Sequence, residues 1–228
     1  MNRILSIMKW PLAVSMLWSF PASLLLLWNF VVSQQYSLSH FPPIVMGFAG
    51  YLLLWFFIFK RKEVGSYFST LEHEVTHAIF AILSGHSVQH IRITAHEGGE
   101  IRYKGKGNWL ITIAPYFFPT ITVILLSLRL CIEQNYWLEL GIGVSIAFHI
   151  TSSYVETHGS QSDLKQVGRF FALCFLPTAN VLTYTLIVVY LQSGFSGVGV
   201  SVKSLYHFLL SYSVPAYYFA VENTKKLF

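Results

Sequence analysis

The sequence predicts an all-α polytopic membrane protein with about six transmembrane helices, one re-entrant segment and a small β-hairpin. Three observations carry that prediction. Hydrophobic residues make up 54% of the 228 and charged residues only 11%, with a mean hydropathy of +0.54, far more apolar than a soluble domain. Apolar runs recur at lengths that match the hydrocarbon thickness of a bilayer. One short stretch departs from this pattern, with β-branched residues alternating around a pair of glycines.

The first run spans about Leu12 to Val32. Arg3 and Lys9 precede it as they would in a signal peptide, but the apolar stretch continues past Trp28 without a small-residue cleavage site, so it reads as a retained span. Pro43 to Phe59, Ser66 to Ser84, Trp109 to Ile132, Phe170 to Leu191 and Leu205 to Val221 follow as further spans. Trp137 to Ser153 is marginal and is read as the re-entrant segment. Val88 to Ala95 and Glu100 to Lys104 alternate around Glu97, Gly98, Gly99 and Glu100, a hairpin signature. Gly85 is placed to stop the preceding helix, and Gly105 to Asn108 is a polar linker. There is no internal repeat and no long polar segment. The expected organisation is a single membrane domain over 1–228: two spans within 1–62, a core over 63–177 and C-terminal spans over 178–228.

Charge distribution excludes some functions and orients the chain. The basic residues sit at the edges of apolar runs and not in arrays interleaved with aromatics, which disfavours nucleic-acid binding. Cys131 and Cys174 lie in or beside apolar runs without CxxC spacing and read as two buried thiols. Arg3 and Lys9 flank the first span and Lys60, Arg61 and Lys62 follow the second, whereas Ser33 to Phe41 contains no Lys or Arg. That asymmetry predicts a cytoplasmic N-terminus. Arg92, Arg102, Lys104 and Lys106 then fit best if the hairpin folds back toward the helix before it. Trp and Tyr residues near span ends suit an interfacial belt.

Within the run from Ser66 to Ser84, His73, Glu74 and His77 form an HExxH motif. On a helix the two histidines, four residues apart, leave the same face and can hold one zinc ion, with Glu74 beside the water that the metal activates. Three ionisable groups in one turn of an apolar helix are costly in lipid unless they share a task. With about 1.5 Å of rise per residue, His73 lies about 10 Å along the helix from Ser66, which puts the site inside the membrane. Hydrolysis of a peptide bond is the chemistry this set suits.

A third ligand is needed. Asp163, the sole aspartate of the chain, lies just before an apolar run, where a carboxylate is costly unless paired or metal-bound. Its structural alternative is a helix cap ahead of Lys165 and Gln166. Glu156, His158, His149, Glu97 and Glu100 compete for the role. Asp163 reaches the depth of the histidines if Trp137 to Ser153 dips into the membrane and returns. Glu72 reads as a charge at the membrane edge, since it points about 100° per residue away from the metal face. His86, His90 and His96 read as ordinary polar surface. His149 is either a satisfied core histidine or a donor to an oxyanion, and Pro115 and Pro119 kink or start a helix.

These residues together resemble the site-2 protease family of intramembrane zinc metallopeptidases. The resemblance runs from about Phe68 to Pro177. His73 to Ala78, in a helix ending at Gly85, is similar to the family's catalytic helix, and Val88 to Lys104 to its membrane-associated hairpin. Ala114 and Pro115 are similar to an Ala-Gly-Pro turn, and Leu138 to Ser152 to the approach to an Asn-Leu-Leu-Pro run that leads to Asp-Gly. His149 stands where that Asn is expected, Ser or Thr replaces the Pro, and Leu164 follows Asp163 in place of Gly. The resemblance implies a zinc metalloendopeptidase, with His73, His77 and Asp163 on Zn2+ and Glu74 as the catalytic acid and base. Its partners would be the lipid bilayer and a membrane protein substrate, cut in or near its spanning helix, and its setting a bacterial plasma membrane. A catalytically inactive scaffold and a metal transporter are the alternatives, and oligomeric state is open.

Overall fold

The computed structural model describes residues 2–32, 42–59, 66–94, 98–133, 135–158 and 162–225. Lys60, Arg61, Lys62, Ala95, His96, Glu97 and Lys226 lie outside them, as do residues 33–41 and the side chain of His158. The described chain is mostly helical with one two-stranded antiparallel sheet: α1 (Asn2–Val32), α2 (Pro42–Phe57), α3 (Ser66–Leu83), β1 (Val88–Thr94), β2 (Gly98–Tyr103), α4 (Trp109–Ile113), α5 (Thr120–Cys131), α6 (Tyr136–His158), α7 (Ser162–Val167) and α8 (Arg169–Lys225). A single 3-10 turn, Ala114–Tyr116, follows α4. Two compact units emerge. One comprises Met1–Pro11 with Leu38–Leu173, the other Leu12–Ser37 with Cys174–Phe228.

The first unit holds the HExxH helix. Its elements follow from local chemistry. Helix α3 ends in a Schellman motif: Gly85, at φ 79°, donates to the Ile82 carbonyl at 2.8 Å while His86 donates to that of Ala81 at 2.9 Å, the pairing that a left-handed glycine permits. Strands β1 and β2 then pair with Ile91 opposite Ile101 and Arg92 opposite Glu100, and an irregularity between Val88 and His90. Asn108 caps α4, its Oδ1 accepting from Leu110 and Ile111 amides at 3.0 and 3.1 Å. Helices α2 and α6 pack backbone against backbone. A Cβ on Gly47 would strike the Leu140 carbonyl oxygen and one on Gly143 that of Ile44, so only glycine admits this approach.

In the second unit the later turns of α1 bury Ala13, Ser23, Ala22 and Leu26, and those of α8 bury Thr178, Ala179, Thr185 and Val189. Thr178 donates to the Met16 carbonyl at 2.7 Å, a hydroxyl-to-backbone bond between helices of the type used where lipid offers no partner. The α8 stretch contains a break at Gly194 (φ 59°, ψ −153°).

Among the described residues three helical stretches are long and apolar enough to cross a membrane: Asn2–Phe30, Tyr136–Thr157 and Arg169–Ser211. The pair Trp109–Tyr116 and Thr120–Cys131, bent by 79°, makes a fourth candidate. Leu53, Phe56, Phe57, Phe170 and Leu173 stand exposed, the reverse of a soluble surface. This is a membrane protein.

Several expectations need correction. Among the described residues three or four stretches are long and apolar enough to cross a membrane, against the six expected. Helix α2, at 16 residues, reaches about 24 Å against a hydrocarbon core of about 30 Å, and α3 forms where expected but carries Glu72, His73, Glu74 and His77, too polar for an unaided span. The re-entrant segment is also misplaced. Trp137 to Ser153 lies within α6, a continuous helix of 23 residues without proline, whereas the sharp bend falls between α4 and α5, where Pro115 and Pro119 remove backbone donors. Phe170 to Leu191 and Leu205 to Val221 lie within α8 on either side of the break at Gly194, which separates two helices. Cys131 is exposed at the last turn of α5, while Cys174 is buried, and both are free.

Candidate metal centre

Helix α3 presents His73 and His77 from one face, their rings 4.7 Å apart between centroids and nearly perpendicular. Asp163, in the first turn of α7, meets both: its Oδ2 lies 3.1 Å from His73 Nε2 and 3.1 Å from His77 Nε2. All three donor atoms fall within 4.8 Å of one another. Helix α7 is only six residues long, so its position depends on anchors. Leu164 and Val167 are buried, and Lys9 of α1 donates to the Val167 carbonyl at 2.7 Å, a cation on the last turn of the helix.

Each histidine is oriented from behind. His77 Nδ1 donates to the Ile111 carbonyl at 2.7 Å. Ile111 O is available because its helical donor would be the amide of residue 115, and Pro115 has none. His73 Nδ1 donates to Glu156 Oε2 at 2.7 Å, and Tyr116 packs edge-on against the same ring at 5.3 Å. A carbonyl and a carboxylate can only accept, so both Nδ1 atoms carry a proton, and it is Nε2 of each ring that faces Asp163 and is free to bind a metal in the neutral ring. Two imidazole nitrogens and a carboxylate oxygen therefore converge on one point. Two imidazoles with a carboxylate are a donor set for zinc.

Glu74 is buried and lines a cavity of about 410 Å³ together with His73, His77 and Asp163. Strand β2 forms the opposing wall through Gly98, Gly99, Glu100, Ile101 and Tyr103. The strand lies so close that a Cβ on Gly99 would stand 2.7 Å from Glu74 Oε1 and 2.7 Å from Thr70 Cγ2. The hairpin is thus folded back against the motif helix, as the excess of basic residues in it suggested.

The remaining histidines and carboxylates fall into clear roles. Glu72 is not an edge charge. It is 4% exposed, with Oε1 accepting the Ile121 amide at 3.1 Å and Oε2 3.5 Å from His149 Nδ1. Rotated away from the metal face, it points into the interior between α3, α5 and α6. His149 is correspondingly a buried core histidine, its Nε2 3.3 Å from Ser153 Oγ. His86, expected at the surface, is buried instead, 2.9 Å through Nε2 from the Lys106 carbonyl. His90 is exposed. Glu156, weighed as a ligand, stands behind His73. Glu100 pairs with Arg102 at 2.7 Å, and that hydrogen bond holds its carboxyl below the usual carboxylate range.

Residues 44–209, well over half of the chain, match a family model described as peptidase M50B-like, the group of the site-2 proteases. The chain belongs to this family. Its matched region contains the HExxH helix, the hairpin, the bent α4–α5 pair, α6 and Asp163. No curated protein and no solved structure shows a significant match to it. Family membership agrees with the donor set, since M50 peptidases are generally zinc-dependent.

Proposed function

We propose that the chain is an intramembrane zinc metalloendopeptidase that cleaves a peptide bond in or near the transmembrane segment of a membrane protein substrate. The observation carrying this reading is the convergence of His73 Nε2, His77 Nε2 and Asp163 Oδ2 on a polar cavity that Glu74 also lines. His73, His77 and Asp163 would hold the metal. Zinc bound there supplies a Lewis acid that polarises the scissile carbonyl and acidifies water toward neutral pH.

Glu74 accepts a proton from the water that attacks the carbonyl carbon. As the C–N bond breaks it returns that proton to the departing amine, leaving a carboxylate and an amine as products. Burial of Glu74 keeps this exchange away from bulk solvent.

A transmembrane helix hides its peptide bonds in its own hydrogen bonds, so the substrate must unwind at the cut. The sheet has two strands only among the described residues, and the cavity runs beside β2. Addition of the unwound segment as a third strand on β2 would bring its carbonyl to the metal. The distribution of Lys and Arg supports an N-terminus on the cytoplasmic side.

The test is zinc analysis of the purified full-length protein as wild type, His73→Ala, Asp163→Ala and Glu74→Gln, paired with cleavage of candidate spanning segments. One zinc per chain in wild type and Glu74→Gln, with its loss in the ligand variants and cleavage by wild type alone, is expected. Normal cellular function in Glu74→Gln would favour an inactive scaffold, and zinc flux in vesicles without cleavage a transporter. Full occupancy in Asp163→Ala would move the third ligand elsewhere.

A further inference from the structure

We propose that Glu156 is a positioning residue for the metal, holding His73 through its far nitrogen so that Nε2 faces Asp163. The inference rests on the zinc reading above and extends it to a residue outside the HExxH motif and the third ligand.

Both oxygens of Glu156 are committed. Oε2 accepts from His73 Nδ1 at 2.7 Å, and Oε1 accepts from Ser69 Oγ at 2.6 Å. Ser69 Oγ is in turn 2.9 Å from Ser152 Oγ. The chain Ser152, Ser69, Glu156, His73 therefore ties α6 to α3 through three hydrogen bonds, two at Ser69 one helical turn before the metal face and one at His73 on the metal face itself. Ser69 precedes His73 by four residues, which places both on one side of α3. The Glu156 side chain is 13% exposed, so its charge is little weakened by solvent.

The two histidines consequently differ. His77 is backed by a neutral carbonyl, His73 by an anion. A carboxylate behind an imidazole fixes its tautomer and raises its basicity as a ligand, and loss of such a partner typically costs about 10- to 100-fold in metal affinity. Glu156 has no opening to bind the ion itself, because it lies on the Nδ1 edge of the ring whose Nε2 edge faces Asp163.

The experiment is competition of zinc between a chelator and the full-length protein in detergent, for wild type, His73→Ala, Glu156→Gln, Glu156→Ala and Ser69→Ala, with thermal unfolding of each metal-free protein. Glu156→Ala is expected to raise the zinc dissociation constant about 10- to 100-fold. Glu156→Gln keeps an acceptor without the charge and is expected to recover part of that loss. Ser69→Ala should fall between wild type and Glu156→Ala. Cobalt substitution should show an altered visible spectrum in Glu156→Ala, a signature of a reoriented ligand that a remote packing change would not produce. Zinc affinity equal to wild type in both Glu156 variants, with or without a drop in unfolding temperature, overturns the proposal while leaving the zinc site intact. Should wild type and His73→Ala bind zinc alike, the metal reading itself fails, a distinct result. If Glu156→Ala does not fold, the isosteric Glu156→Gln decides, and unchanged affinity there is sufficient to reject the role.

Discussion

His77 Nδ1 donates to the Ile111 carbonyl oxygen across 2.7 Å, and Ile111 can accept because the amide that would close its helical hydrogen bond is missing at Pro115. A break in one helix thereby sets the tautomer of a histidine on another. Restoring the donor should disturb it. In Pro115→Ala the new amide competes for the Ile111 oxygen, so zinc affinity should fall severalfold, by up to about 10-fold at the lower end of such effects. Chelator competition measures this, and an unchanged constant would show that His77 needs no such orientation.

Glu74 is predicted to act in proton transfer and not in holding metal. Glu74→Gln should retain full zinc occupancy while cleavage falls by about 10²- to 10⁴-fold, the range for loss of a general acid–base. Elemental analysis beside single-turnover cleavage separates the two. Loss of zinc in Glu74→Gln would instead make the glutamate part of the donor set.

Metal removal should abolish cleavage reversibly. Because the three donors are brought together only in the folded chain, zinc also stabilises the fold by binding the native state alone, about 2.7 kcal/mol at a hundredfold excess over its dissociation constant. Unfolding temperature should therefore rise with free zinc and stay flat in His77→Ala. A flat response in wild type would contradict a preformed site.

Gly99 is where β2 meets the site. Gly99→Val would press a side chain onto Glu74 and Thr70, and a displacement of about 1 Å at such a place costs about 100-fold in rate. Zinc occupancy should stay unchanged, because the atoms nearest that Cβ belong to Glu74 and Thr70. A rate close to wild type would mean that the strand moves aside in solution.

Gly85 ends α3 at φ 79° with open space around its Cα. Gly85→Ala places a Cβ in left-handed backbone and should cost about 1 kcal/mol, measured by denaturant unfolding in detergent, with zinc stoichiometry unaltered. A larger loss, accompanied by loss of zinc, would show that the cap also sets the position of the motif helix.

Much of the site was legible from spacing. HExxH placed His73 and His77 on one helix face, and the isolation of Asp163 marked it out although no local pattern joins it to the histidines. Gly85 and the alternation after it announced a helix stop and a hairpin. Glu156 was visible only as a competing ligand, since nothing in a linear pattern distinguishes a carboxylate in front of an imidazole from one behind it. Ser69 carried a signal at i−4 from His73, and Pro115 another at i+4 from Ile111. Neither points to a partner without the fold. Span count was less legible: hydropathy reads a 16-residue run and a helix carrying four ionisable groups as crossings, and neither is among the three or four candidates found in the described residues.

By itself the sequence determined the chemistry on offer: an apolar chain, two imidazoles and a glutamate on one turn, one aspartate far along the chain, and a hairpin between. Such properties depend on residue type and short-range periodicity. Tertiary structure alone decided that Asp163 closes on the histidines, that Glu156 and Ile111 stand behind them, that Glu72 turns inward, and that the break in the membrane helices falls between α4 and α5 instead of within α6. Those outcomes depend on distances between residues remote in sequence, and only packing determines which of several equally polar side chains comes within 3 Å of another.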